Sequence, residues 1–342
     1  MAKKLTFAII ITLLIGLLIR VLIHSGTFKN IKPQFQGTVL QSWKAPYGPE
    51  DLDMVYSKNH LIFSATDRRK GGSDQDGLYF VDLNKSNPTP EKIKDNYPGQ
   101  MHPHGIFVLE EDSTTFVFVV NHQEPRDYID KFVYDEGRLE LISSYTDELI
   151  QGANDVAAIT SNVFYATRDH GFKKGWKRTL EDYLILPLAK VVRFKEGKFS
   201  VVADGFQYAN GINYSPDGST LYVAETTGRR LNVFDIDEKH NLHLVQKIPT
   251  YTGVDNIDVD KKGKLWIGCH PKLLAFVAHA KDINNLSPSQ VLKIDPENNY
   301  SIEEIVMDDG TAFSGCSTAL MHEDVLYTGV VFDPIIWRGK LK

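Results

Sequence analysis

Short alternations of apolar and polar residues recur along most of this chain. In "YANGINYSPDGSTLYVAETT", residues 208–227, Ile212, Tyr214, Leu221, Val223 and Glu225 alternate with their neighbours. Ser215-Pro216-Asp217-Gly218 between them is turn chemistry, so the segment predicts a β-hairpin. Similar hairpins are predicted at 52–67, 105–122, 155–170, 256–270 and 317–331, and stretches such as "GLYFVDL" and "AKVVRFKEGKFSVVA" between them again read as paired strands. Taking residues 51, 105, 155, 211, 256 and 317 as one phase gives six copies at intervals of 45–61 residues. Several strands per unit at such a period predict an all-β fold, a six-bladed β-propeller.

Two segments depart from the strand pattern. "LTFAIIITLLIGLLI", Leu5 to Ile19, carries no charge, follows Lys3 and Lys4, and continues past Arg20 as Val21-Leu22-Ile23. Nineteen residues at about 1.5 Å each span roughly 28 Å, near the thickness of a hydrocarbon core. A cleaved signal peptide is the competing reading, but only Ser25-Gly26 offers small residues for cleavage. The expectation is an uncleaved signal-anchor over residues 1–26, its lysines cytoplasmic. Residues 27–342 would then form the propeller outside the cytoplasm, whether lumenal, periplasmic or extracellular; cleavage would make it secreted. The second departure is 172–190, where Trp176, Leu180, Tyr183 and Leu184 fall at helical spacing before Pro187. A helix between two strands of one blade predicts a lid or a membrane-contacting element, or else a helix packed for stability.

Composition narrows the function classes. Of 342 residues 42% are hydrophobic and the formal charge is −6, which predicts a globular core and no nucleic-acid surface. The two cysteines, Cys269 and Cys316, form neither a disulfide framework nor a zinc module and read as buried thiols. Asn84, Asn285 and Asn299 open Asn-x-Ser triplets that permit glycosylation.

The candidate chemistry sits at the common phase. The six copies read Glu50-Asp51, His104-Gly105, Asn154-Asp155, Asn210-Gly211, Asp255-Asn256 and Cys316-Ser317. A single Asn or Asp before a strand is ordinary turn punctuation. Equivalent positions in a propeller ring the central tunnel, however, so five blades would place polar groups at one end of it. Glu50, Asp51, Asn154, Asp155, Asn210, Asp255 and Asn256 offer hard oxygen ligands, which suit Ca²⁺ better than zinc. Four carboxylates call for two such ions. "MHPHGI" sets His104 at the ring, and "VVNHQE" closes the same hairpin with His122. The two imidazoles would be placed to take a proton from water beside a Lewis-acidic ion, although a lone histidine is more often structural. His170 and His270 end their own hairpins and could line the same mouth, and His102 is given no role.

"PEDLD", "HPHGI", "VVNH", "NDVAA", "ANGINYSPDG", "VDNIDVD" and "WIGCHP", in that order from about residue 45 to 333, resemble the paraoxonase family of calcium-dependent arylesterases and lactonases. The resemblance implies a catalytic calcium held by Glu50, Asn154, Asn210, Asp255 and Asn256. It implies a structural calcium held by Asp51, Asp155 and the main-chain oxygen of Ile106. It also implies His104 as proton acceptor with His122 behind it, a retained hydrophobic N-terminus, and Cys269 as a free thiol. The family's terminal disulfide has no counterpart, since Val39 and Arg338 stand at the matching positions. Closure would then rest on strand pairing. The expected activity is hydrolysis of a small ester or lactone by a water activated at His104, with no nucleophile elbow in the chain. The reading from another class is a non-enzymatic, membrane-anchored, calcium-stabilised propeller acting as an assembly partner or chaperone. A gluconolactonase-like enzyme with one ion is a third, and Asp51 and Asp155 argue against it.

Overall fold

Six sheets of four or five strands make up most of the computed structural model, which describes residues 2–342. Their first strands are Pro49–Val55, Pro103–Glu111, Ala153–Thr160, Ala209–Tyr214, Gly253–Val259 and Cys316–His322. Each touches the next, and the last touches the first, so they close a ring around one axis. The molecule is a six-bladed β-propeller, and each expected hairpin forms the inner pair of one blade. Apolar side chains such as Phe118, Phe164, Val191 and Ile212 fill the space between blades, where removal from water stabilises the packing.

The ring closes by strand pairing. Gly37–Val39 forms the outer strand of the sixth blade against Ile335–Leu341, with Val39 opposite Gly339 and the Leu40 amide donating to the Arg338 carbonyl. Cys269 and Cys316 are free and buried.

Every innermost strand carries an irregularity at the common phase. Register breaks between Pro49 and Leu52, Ala153 and Val156, Ala209 and Ile212, Val254 and Ile257, and Cys316 and Thr318. In the second blade it breaks opposite His104-Gly105. A bulge suspends the alternation of a strand, so two successive residues can serve the same side. Gly105 and Gly211 sit in two of these bulges. A Cβ at Gly105 would meet Asp155 Oδ1 at 2.4 Å, and one at Gly211 would meet the Asp255 carbonyl at 2.5 Å.

Among the described residues three α-helices lie outside the sheets. Helix α1, Ala2–His24, exposes most of its apolar side chains; Leu5, Phe7 and Leu13 are each more than 60% exposed. Its Lys3–His24 stretch is long and apolar enough to cross a membrane. Its end docks on the propeller, the Ser25 carbonyl accepting from the Leu273 amide and the His24 carbonyl from Arg229. Helix α2, Trp176–Leu184, interrupts the third blade within the expected 172–190 segment. Its apolar residues Trp176, Leu180 and Tyr183 are exposed rather than packed. Helix α3, Leu273–Lys281, follows the fifth blade's inner hairpin and was not legible as a separate element in the sequence.

Candidate functional site

At one end of the axis the six strands leave a cavity of about 440 Å³. Glu50, His104, Asn154, Asn210 and Asp255 line its floor, and residues of α1, α2 and α3 form its walls. Glu50, Asn154, Asn210, Asp255 and Asn256 are all buried. One oxygen of each has no hydrogen-bond partner: Glu50 Oε2, Asn154 Oδ1, Asn210 Oδ1, Asp255 Oδ1 and Asn256 Oδ1. Buried oxygens are rarely left so.

Neighbouring bonds leave those oxygens free. Asn210 Nδ2 donates to Thr226 Oγ1 at 3.0 Å, and Asn256 Nδ2 to Glu50 Oε1 at 3.1 Å. Asp255 Oδ2 lies 2.7 Å from His270 Nε2, and the His270 ring stacks on Phe276. Five hard oxygens without a hydrogen bond, from two carboxylates and three carboxamides, form a donor set that fits Ca²⁺. Among the described residues no three His, Cys, Asp or Glu side chains group as a metal centre without such carboxamides.

Asp51 and Asp155 lie apart from that set and are held differently. Asp51 Oδ2 accepts the Ile106 amide of the second blade at 2.8 Å, and Oδ1 accepts the Leu52 amide. Asp155 Oδ2 accepts the Ile212 amide of the fourth blade at 2.8 Å, and Oδ1 accepts the Val156 amide. Ile106 thus meets Asp51 through its main-chain nitrogen. The sixth blade's Ser317 bonds the Glu50 carbonyl instead of joining the polar ring.

Charge is crowded here. Burial raises Asp51 well above the usual carboxylate range, and the charges of Asp155 and Glu50 raise it further. Burial likewise raises Asp155, against the hydrogen bonds from the Ile212 and Val156 amides, with Glu50 adding to the rise. Asp255 rises to about 6, burial outweighing the contact with His270. Burial works against the Glu50 carboxylate too, but His104, Arg68 and the Asn256 amide overcome it and hold it at about 2. A bound cation would relieve each of the raised groups.

The histidines pair as expected. His104 Nδ1 lies 2.9 Å from His122 Nε2. His104 Nε2 points toward Glu50, 3.7 Å from Oε1. Burial lowers the His104 pKa, Glu50 opposes that, and Arg68 reinforces it. A neutral imidazole at the floor of the cavity can accept a proton. His270 lines the cavity, whereas His170 supports its wall through Asp182 of α2 at 2.6 Å. His102 pairs with Asp76.

Some residues of the site escaped sequence reasoning. Arg68, from a loop of the first blade, brings Nη2 within 3.6 Å of Glu50 Oε2; no local pattern announces that approach. Asp127, 3.1 Å from His122 Nδ1, was within reach, since the two face each other across one hairpin turn.

The chain matches the family described as Arylesterase over residues 68–337. It is 32% identical over 310 residues to serum paraoxonase/arylesterase 1 of Mus musculus, covering 85% of each chain. To serum paraoxonase/arylesterase 2 of Homo sapiens it is 31% identical, covering 83% of this chain and 84% of that one. Among solved structures, a calcium-binding protein, regucalcin, from Agrobacterium tumefaciens superposes with a TM-score of 0.52 at 15% identity, over 90% of this chain and 96% of that one. A luciferin-regenerating enzyme gives 0.52 at 14% identity, over 90% and 95%. At such identities these two likenesses are of fold.

Proposed function

Because the chain belongs to the arylesterase family, we propose that it is a calcium-dependent hydrolase of carboxylic esters and lactones. The observation that carries the reading is the set of five buried oxygens without a hydrogen bond, those of Glu50, Asn154, Asn210 and Asp255 belonging to residues that line one cavity with His104, which His122 backs. Glu50, Asn154, Asn210, Asp255 and Asn256 would hold the catalytic ion. Asp51, Asp155 and the Ile106 main chain would hold a second, structural ion. When bound, the catalytic ion supplies electrostatic stabilisation of the negative charge that develops on a carbonyl oxygen.

The chain's own residues do the rest. His104 Nε2 takes a proton from the attacking water as the water oxygen bonds to the carbonyl carbon. His122 shares the positive charge so formed through the 2.9 Å hydrogen bond to His104 Nδ1. The proton returns to the departing oxygen when the carbon–oxygen bond breaks. The walls from α1, α2 and α3 bring apolar side chains such as Val21, Leu273 and Phe276 that suit an apolar acyl or lactone group. A scaffold or chaperone has no need of an imidazole pair over the cavity floor.

In this reading residues 1–26 anchor the protein and residues 27–342 form the hydrolase outside the cytoplasm. The exposed Trp176, Leu180 and Tyr183 of α2 sit on the same side of the molecule as the docked end of α1, so α2 would lean on the bilayer too. The small-molecule substrate would then enter beside the membrane. A panel of aryl esters and lactones, assayed with and without a calcium chelator, tests the proposal. Turnover that chelation abolishes and calcium restores supports it; no turnover of any member, with calcium saturating, refutes it.

A further inference from the structure

Behind the histidine pair stands a third group. Asp127 is 2% exposed, and its Oδ1 lies 3.1 Å from His122 Nδ1. Its other oxygen, Oδ2, takes the Gly152 amide at 2.7 Å and the Lys173 ammonium at 3.0 Å. Lys173 belongs to the segment that leads into α2, and Gly152 to the turn that enters the third blade. Burial works against the Asp127 carboxylate, but hydrogen bonds from His122 first, then the Gly152 amide and Lys173, overcome it and keep it ionised, at about 2.

An ionised carboxylate only accepts hydrogen bonds. Nδ1 of His122 must therefore carry its proton. A neutral imidazole has one N–H, so His122 Nε2 is left as an acceptor. Across the 2.9 Å contact the donor must then be His104 Nδ1, which leaves the lone pair of His104 on Nε2, the nitrogen on the Glu50 side at the cavity floor. The order of donors is settled from the far end.

We propose that Asp127, held by Gly152 and Lys173, is the positioning residue that fixes the tautomers of His122 and His104 and turns the basic nitrogen of His104 into the cavity. The inference rests on the hydrolase reading for its role in turnover. The proton balance is complete. Water gives a proton to His104 Nε2 as its oxygen bonds to the carbonyl carbon. The Nδ1 proton of His104 passes to His122 Nε2. The imidazolium so formed lies beside the Asp127 carboxylate, away from Arg68. The transfers reverse when the leaving oxygen departs and takes the proton. Through Lys173 the alignment of the pair also depends on the seating of the segment before α2.

The discriminating variant is Asp127→Asn, which keeps size and shape. Gly152 and Lys173 both donate, so the carboxamide oxygen stays with them and its NH₂ faces His122 Nδ1. His122 must then become the Nε2–H tautomer, and the chain of donors reverses. In full-length protein in detergent, ¹⁵N spectra of the histidine side chains should show Nδ1–H on His122 in wild type and Nε2–H in Asp127→Asn. On a lactone, kcat should fall on the order of 10²-fold or more while KM changes little. Lys173→Met, which is free of any cavity contact, should show a smaller loss of kcat with a mixture of tautomers. Unchanged tautomers and unchanged kcat in Asp127→Asn would overturn the proposal. Should that variant not fold, unchanged spectra and kcat in Lys173→Met would overturn it equally. If wild type and His104→Gln are both inert toward every ester and lactone, the hydrolase reading fails, and the ¹⁵N spectra still decide the role of Asp127.

Discussion

Asp155 of the third blade accepts the main-chain amide of Ile212 in the fourth at 2.8 Å. Its other oxygen takes the Val156 amide of its own strand at 2.7 Å, so one buried carboxylate satisfies two donors, one of them across a blade boundary. Asp155→Ala leaves both donors unpaired, at about 1–3 kcal/mol each, and removes a proposed ligand of the structural ion. The expected outcome is a sharply lower melting temperature or failure to fold.

Asn210 should behave oppositely. Its unpaired Oδ1 faces the cavity and it bonds Thr226 through Nδ2. Asn210→Ala is expected to cripple hydrolysis with a modest change in melting. Both variants need comparison at matched free calcium, because ligand concentration moves the midpoint. An unfolded Asn210→Ala beside a stable, inactive Asp155→Ala would mean the two ion sites have been exchanged.

Calcium itself should be a stabiliser. Raised carboxylates at Asp51, Asp155 and Asp255 repel one another or resist ionisation without a cation. The midpoint should climb with free calcium, by about 2.7 kcal/mol of stability at a hundredfold excess over the dissociation constant. A midpoint indifferent to calcium and to chelator would remove the ion from both sites.

His104→Gln should retain fold and calcium response, since the imidazole stands as a base and not as a ligand. Loss of a general base costs on the order of 10²–10⁴ in rate. Hydrolysis within a few-fold of wild type would transfer the role to Glu50.

The α2 clasp should loosen at alkaline pH. Burial depresses the His170 imidazole, but Asp169 and Asp182 overcome this and raise it to about 9, against an ordinary value near 6.5. A raised folded-state value means the imidazolium stabilises the fold below about 6.5, and that contribution disappears as pH rises through about 9. Hydrogen-exchange protection across residues 172–190, after allowance for the intrinsic base-catalysed rate, should fall over that interval, and Asp182→Asn should lessen the dependence. A flat profile in wild type would show that the clasp does not hold the helix.

Full-length protein is expected to remain in the membrane fraction after a high-salt wash, on the strength of the apolar Lys3–His24 helix. A mature N-terminus near Thr27 by mass spectrometry would show that the segment is cleaved.

Much of the architecture was legible in the chain itself. The alternation of Ile212, Tyr214, Leu221 and Val223 recurs six times because each blade buries the same faces, and hydrophobic burial depends on local pattern. The common phase also marked the residues that ring the axis, since repetition in sequence becomes rotation in space. What the pattern could not decide is how both members of Glu50-Asp51, Asn154-Asp155 and Asp255-Asn256 come to be buried at the axis. Strict alternation would send one of each pair to the opposite face. The bulges at those positions suspend it, and Gly105 and Gly211 allow the neighbouring blades to approach. The contacts of Glu50 with Asn256 and Ser317 are likewise long-range results. Their partners are more than 200 residues apart in sequence, so only the closed ring brings them together.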